Sequence, residues 1–273
     1  MTRDESKVVL VTGASSGFGQ AIAAELQPRG HRVFGTTRRP SAAAPSGCTL
    51  VTMDVDDEAS VTAGVAEVLQ QAGRIDVLVN NAGFGFAGAI EDTTVEEARR
   101  QFETNFFGMH RACRAVLPQM RAHRSGRIVN MSSLGGLVSV PFQAMYCASK
   151  FAVEAYTEAL RMEVRPFGIQ IAMVEPGDFA TRFTTNRLMT AASSAQSPYA
   201  ERCARAVRRM GEDEASNPDV APVVRAVVQA IEARRPRLRY PAANALQRTL
   251  VALRPVLPQR LFEYLIMDNY KIR

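Results

Sequence analysis

Two rhythms of apolar and polar positions take turns along this chain. Short, nearly continuous apolar runs occur at "KVVLVTG" (7–13), "HRVFGTTRR" (31–39), "CTLVTMDV" (48–55), "IDVLVNNAG" (75–83), "GRIVNMSS" (126–133) and "IQIAMVEPG" (169–177). Between them, apolar residues recur every three or four positions: over 19–30, ended by Pro28 and Gly30, over 58–73, over 95–121, and from Tyr146 to about Arg165. The first pattern predicts strands covered on both faces of a parallel sheet, the second amphipathic helices that cover them. Their regular alternation predicts a doubly wound, mainly parallel α/β sheet of the Rossmann kind with helices on both faces.

Beyond Gly177 the rhythm weakens. Residues 178–220, with "TTNRLMTAASSAQSPYAERC" and "MGEDEASNPD", are small and polar and predict a flexible excursion with one or two short helices; the alternative is a permanently packed pair of helices, supplied in part by Ala200 to Met210. "DVAPVVRAVVQAIEARRPR" (219–237) returns to a helical period, and "LRYPA" (238–242) predicts a last edge strand. The tail, 242–273, predicts a helical extension broken by Pro255 and Pro258. With no internal repeat and no second core, residues 1–273 are assigned to a single domain.

Composition narrows the function classes. Apolar residues make up 47% of the 273, enough for a sizeable core, and no apolar run is long enough to span a membrane. The charged start "MTRDESKVVLVTG" lacks a signal-peptide pattern, so a cytoplasmic protein is expected. Four dispersed cysteines and three histidines show no metal-ligand spacing, and no metal is expected. The net charge is +6, but the arginines alternate with alanine and glutamate at helical spacing. That pattern predicts solvated helix faces rather than a nucleic-acid surface.

Candidate chemistry begins at "TGASSGFG" (12–19), which ends the first strand and opens a helix. Gly13, Gly17 and Gly19 permit a tight turn and close approach of a ligand, and free N–H groups at the helix start favour an anion. Ser15, Ser16 and Phe18 join this candidate phosphate-binding turn. Eighteen residues after Gly19 stand Thr37, Arg38 and Arg39, where a sheet that binds NAD carries an acidic partner for the ribose. A guanidinium there holds a 2′-phosphate and a carboxylate would repel it, so NADP(H) is the expected cofactor. Asp54 and Val55, after the third strand, are placed beside the adenine.

Tyr146 and Lys150 are one helical turn apart in "YCASK". "TGASSGFG", "NNAG" (80–83), Asn105 in "ETNFFG", "NMSS" (130–133), "YCASK" (146–150) and "PG" (176–177) follow one another in the order of the short-chain dehydrogenases/reductases. The chain resembles that family over about residues 7–181, and most of all its 17β-hydroxysteroid and retinol dehydrogenase-like branch. The resemblance implies that Tyr146 is the general acid or base, and that Lys150 lowers its pKa and grips the nicotinamide ribose. It implies that Ser133, 13 positions before Tyr146, hydrogen-bonds the substrate oxygen, and that Asn105 holds a water leading to Lys150. Asn81, Ala82, Gly83, Pro176 and Gly177 are expected to shape the backbone beside the cofactor, with Thr181 at the nicotinamide carboxamide.

In this fold the substrate lies outside the carboxyl ends of the strands. The residues expected there are Leu134, Val140, Gln143, Phe179 and Phe183, together with Phe84, Phe86, Phe142, Leu188 and Met189. Their apolar character implies a bulky apolar ketone or secondary alcohol, with 178–220 as its lid. The alternative is an NADP-binding regulator without turnover, against which the complete Ser–Tyr–Lys–Asn set argues. Apolar faces on 95–121 and 148–165, the pair through which family members often assemble, imply a homodimer or homotetramer.

Overall fold

Val8–Val11 (β1) is buried along its whole length, and its side chains divide by parity between two layers. Val9 and Val11 pack with Ile22, Ala23 and Leu26, while Val8 and Leu10 pack with Val65, Val116 and Val153. This is the two-residue period of a strand covered on both faces. The computed structural model describes residues 6–39 and 43–273. The charged start, 1–5, and positions 40–42 lie outside the described residues.

The helices that form the two layers follow β1 in order. Gly17–Leu26 (α1) buries Gly19, Ile22, Ala23 and Leu26, a stripe at helical spacing. It shares its layer with Ala221–Glu232 (α8). The opposite layer holds Glu58–Ala72 (α2), Met109–Ala122 (α4) and Ala144–Val164 (α5). Asp57 caps α2 by accepting from Ala59 N at 2.8 Å, and Gly73 ends it at φ 76°.

Among the described residues the main sheet has seven strands, all parallel. The others are Arg32–Thr37 (β2), Cys48–Thr52 (β3), Val77–Asn80 (β4), Gly126–Met131 (β6), Ile169–Pro176 (β7) and Arg239–Ala242 (β9). Their order is β3-β2-β1-β4-β6-β7-β9, so the crossovers reverse direction between β1 and β4. That reversal opens a crevice at the carboxyl ends of the central strands. A buried polar ladder seats α5 beneath this crevice. Asn80 donates to Asn130 at 2.9 Å, and Asn130 donates to Thr157 of α5 at 2.9 Å.

The edge strand expected at 238–242 is β9, paired with β7. Three expectations need correction. The helix expected over 19–30 runs from Gly17 to Leu26, because its first turn begins within the glycine-rich loop. The helix expected over 95–121 is three pieces: Val95–Phe102 (α3), a π-helical turn Glu103–Gly108, and α4. The end of α3 and the wider turn after it bring Gln101 and Asn105 to the loop after β4, where Gln101 bonds Phe84 O and Phe86 N and Asn105 bonds Phe84 N and O.

The third correction lies in 178–220. It contains Arg182–Thr185 (α6), Leu188–Met189 (β8), paired with Phe86–Ala87 (β5), and a sixteen-residue helix, Ala200–Ala215 (α7). Ala206 and Met210 of α7 are buried with Ile272, and Arg202 donates twice to the Ile272 carbonyl. Only the chain before α7 is built of short elements. The tail forms Ala245–Leu253 (α9) and Gln259–Asn269 (α10), parted at Pro255 and Pro258 as expected.

Candidate active site

The carboxyl ends of the strands open into a cavity of about 990 Å³. One end is bounded by the turn after β1. Gly13 and Gly17 adopt φ 66° and 56°, a region that favours glycine, and both line the cavity with Ser15, Ser16 and Phe18. The side chain of Ser16 makes no cap bond to α1, which leaves the first N–H groups of the helix without a side-chain acceptor. Thr12 ties the turn to the next loop by accepting from Asn81 N at 2.9 Å and Ala82 N at 3.0 Å. Gly19 is not on the cavity wall. A β-carbon there would run into the Gly13 carbonyl and the Asn81 amide, so glycine is required for close packing behind the turn.

Thr37 ends β2 on the same wall, Arg38 and Arg39 follow it, and both guanidinium-bearing residues are exposed. Thr37 Oγ1 accepts from Arg39 N at 3.1 Å and so shapes the turn that carries them. Asp54 and Val55 lie beside them with Asp56, which the sequence reading missed. Burial pushes the Asp56 carboxyl up, while Thr104, donating at 2.9 Å, and the Arg38 charge pull it down.

In the middle of the cavity stand Ser133, Tyr146 and Lys150, with Asn81, Ala82, Gly83, Pro176, Gly177 and Thr181 around them. Ser133 Oγ accepts from Gly135 N at 3.0 Å, whereas Ser132 is buried and donates to Glu154. This difference separates the two serines. Lys150 is buried, and its Nζ donates to the Met131 carbonyl at 2.9 Å. Burial lowers the Lys150 amine to about 8, with the Glu154 charge opposing.

Tyr146 stands on the same wall, and its phenol is raised above the ordinary value. Burial pushes the phenol up, and the Ser133 hydroxyl only partly offsets it. The Lys150 ammonium sits 5.8 Å from the ring centre and is engaged with Met131. Asn105 stands apart from this group. Its amide donates to Phe84 O at 3.0 Å and Ser149 Oγ at 3.1 Å, and it lies behind the cavity wall as a brace of the β4 loop.

Leu134, Val140, Gln143, Phe179, Phe183, Phe84 and Leu188 all line the cavity. The Phe183 ring lies 5.3 Å from that of Tyr146, and Phe179 meets Phe18 edge-on at 5.8 Å. Phe86, Phe142 and Met189 do not line it: Phe86 is buried in β5, Phe142 packs toward α7, and Met189 faces solvent. Missed by the sequence reading are Asp178, Glu214 and, from α9, α10 and the residue that follows it, Gln247, Leu250, Val251, Ile266 and Tyr270. They belong to no local motif, and only the packing of α7, α9 and α10 brings them here. Among the described residues no group of three or more histidine, cysteine or acidic side chains is arranged to hold a metal, and all four cysteines are free and buried. No described helix is long and apolar enough to cross a membrane.

A seven-stranded parallel sheet with a glycine-rich turn after β1 and a Ser–Tyr–Lys group at the crevice defines an oxidoreductase of the Rossmann kind. Residues 7–191 match the short chain dehydrogenase family, and the chain belongs to it. A 3-ketodihydrosphingosine reductase of Bacteroides thetaiotaomicron is 39% identical over 269 residues, covering 98% of this chain and 100% of the relative. A short-chain dehydrogenase of Streptomyces avermitilis superposes with a TM-score of 0.81 at 35% identity, covering 98% of both chains. Two further solved relatives have bound nucleotide. One from Burkholderia phymatum, in complex with NAD, has a TM-score of 0.81 at 27% identity, covering 93% of this chain and 95% of its own. One from Burkholderia cenocepacia, in complex with NADP, has a TM-score of 0.76 at 25% identity, covering 97% and 99%.

Proposed function

We propose that the chain is an NADP(H)-dependent oxidoreductase that moves hydride between the nicotinamide and an apolar ketone or secondary alcohol. The observation that carries this reading is the convergence of Ser133, Tyr146 and Lys150 on one cavity wall beside the Gly13–Gly17 turn. The turn fits a dinucleotide: two glycines at positive φ, a helix start without side-chain caps, and no carboxylate among Thr37, Arg38 and Arg39. When bound, NADPH supplies the hydride.

In this reading Tyr146 delivers its phenolic proton to the carbonyl oxygen during reduction and takes it back during oxidation. Ser133 donates a hydrogen bond to the same oxygen and stabilises the charge that develops there. Lys150 is a cation at neutral pH, poised to hold the ribose and to favour the phenolate once the proton has left. Burial keeps the phenol protonated before substrate arrives, which suits an acid in the reducing direction. Asn105 acts as a positioning residue that holds the β4 loop. The name of the Bacteroides relative agrees with a ketone as the oxidised substrate.

The reading includes a cytoplasmic homodimer or homotetramer. Val116, Val153 and Leu160 are spent on the sheet, while Phe107 and Met162 stay exposed on the same helical region and supply an assembly surface. Light scattering at micromolar concentration is expected to give at least twice the chain mass, and a monomer refutes assembly. A panel of apolar ketones and alcohols, followed by the absorbance of NADPH or NADH, tests the activity. Turnover of several apolar ketones with NADPH well ahead of NADH is expected, and inertness across the panel with both cofactors defeats the reading.

A further inference from the structure

Behind the wall that carries Ser133 and Lys150, two carboxylates are buried. Glu154 lies one helical turn after Lys150 in α5, and Glu175 lies in β7 directly before Pro176 and Gly177. One guanidinium from the edge strand engages both. Arg239 of β9 donates from Nη1 to Glu154 and to Glu175, the latter at 2.5 Å, and from Nη2 to the exposed Glu158 at 2.6 Å. Glu154 turns its other oxygen to the hydroxyl of Ser132. Glu154 does not line the cavity, whereas Met131, Ser132, Ser133 and Lys150 do.

Helix α5 thus grips the end of β6 at two consecutive residues just before Ser133. Lys150 Nζ takes the Met131 carbonyl at 2.9 Å, and Glu154 takes the Ser132 hydroxyl. A β-carbon on Gly136 would sit 2.8 Å from Ser132 Oγ and 3.0 Å from Glu154 Cγ, so the glycine turn closes directly over this link. One guanidinium among three carboxylates leaves the cluster with excess negative charge, and buried charge needs a partner. Burial and Glu175 push the Glu154 carboxyl up, while Ser132 and Arg239 pull it down. Its charge acts on Lys150 against the effect of burial there. The other groups facing Lys150 are neutral or engaged elsewhere. Tyr146 and Cys147, on its own helix, are raised by burial, the thiol to about 11. The π-helical turn brings the Asn105 amide, and Glu103 of that turn is paired with Arg111. Arg100 of α3 lies over the rings of Phe84 and Phe86, and Asp178 after β7 acts on the Tyr146 phenol.

We propose that Glu154 is a positioning residue of the reaction: clamped by Arg239, it supplies from behind the cavity the negative charge that keeps the buried Lys150 an ammonium. Lys150 and Arg239 are then the two cations that balance the two buried carboxylates. This rests on the functional reading above, in which Lys150 holds the ribose and favours the phenolate, and deepens it. Arg239 lies beyond residues 7–191, so a strand outside the family match is tied to the charge of the reacting group.

The titration of Lys150 tests this directly. The chain has three lysines, Lys7, Lys150 and Lys271, so lysine labelled with ¹³C at Cε gives three signals in the full chain, without substrate or cofactor. Lys150→Arg assigns the signal. In the native chain Lys150 is expected to be an ammonium at pH 7 and to titrate at about 8. Glu154→Gln is expected to lower that midpoint by about one pH unit. Glu154→Asp, which keeps the charge, is expected to restore most of the shift. Glu158→Gln, which removes the exposed partner of the same arginine, is expected to leave the midpoint in place. A midpoint unmoved by Glu154→Gln, equally low in Glu154→Asp, or equally shifted by Glu158→Gln overturns the proposal. So does a native Lys150 already neutral at pH 7, an outcome that needs no variant to fold. In ketone reduction with NADPH, Glu154→Gln is expected to lower kcat/KM about fivefold at pH 8 and little at pH 6, as the ammonium fraction falls. If the midpoint moves while the native chain reduces no ketone, the functional reading fails and the electrostatic link stands. If ketones are reduced and the midpoint does not move, the functional reading stands and the role of Glu154 fails.

Discussion

Lys150 Nζ lies 5.8 Å from the centre of the Tyr146 ring and donates to the Met131 carbonyl at 2.9 Å. Helix α5 thus presents phenol and ammonium one turn apart, while the end of β6 takes up the ammonium. The carbonyl of Met131 fixes the direction of the amine without neutralising it. The charge remains available to a phenolate and to a ribose hydroxyl.

Tyr146→Phe is expected to lower kcat by about 10²–10⁴-fold, the usual worth of a positioned acid. The ring contact with Phe183 survives, so NADP⁺ affinity measured by calorimetry should change little. Ser133→Ala is expected to cost about 2–4 kcal/mol in kcat/KM with a smaller effect on cofactor affinity. Near-normal rates for the tyrosine variant with a good ketone would show that another group is the acid.

Arg38 stands exposed at the end of β2, with no acidic residue beside it in Thr37 or Arg39. Arg38→Asp is expected to weaken NADPH about 10- to 100-fold by replacing a charge-assisted contact with repulsion. NADH affinity should rise in the same variant. Equal kcat/KM for the two cofactors in the unsubstituted protein would remove the basis for this assignment.

The Asp178 carboxyl is raised from 3.8 to about 6. A raised acid binds its proton more tightly in the folded state. Its contribution to stability is therefore fully present below the unfolded value near 4 and lost as pH rises through about 6. Two pKa units correspond to about 3 kcal/mol. Asp178→Asn is expected to raise the Tm of the ligand-free protein at pH 8 and to change it little at pH 4. A Tm gain independent of pH would mean that the charge is not what strains this wall.

Helix α7 is anchored through Ala206 and Met210 to Ile272, whereas 182–199 is assembled from one short helix, a two-residue strand and turns. We therefore expect the lid to be 182–199, with α7 a fixed wall. Hydrogen exchange without ligand should show protection over Cys203–Met210 and fast exchange over 182–199, which slows when NADP(H) and a substrate analogue bind. Fast exchange throughout α7 would restore the longer lid of 178–220.

The sequence by itself determined the parallel sheet, because strands covered on both faces must be apolar throughout and their helices must carry a stripe. It also marked Gly13, Gly17, Ser133, Tyr146 and Lys150, whose chemistry depends on short-range spacing: a turn, a helix start, one helical turn. Tertiary structure alone decided what surrounds them. Gly19 is kept bare by the Gly13 carbonyl and Asn81, which a β-carbon would run into. Ser132 is engaged by Glu154, which its neighbour Ser133 is not. The Tyr146 phenol is raised because burial outweighs the Ser133 hydrogen bond, a balance that a YxxxK spacing does not encode. Asp178, Glu214 and Gln247 stand 36 and 33 positions apart, and no periodicity links them. They reach one cavity because α7 and α9 fold back over the end of β7, and contacts between distant segments are set by packing rather than by local pattern.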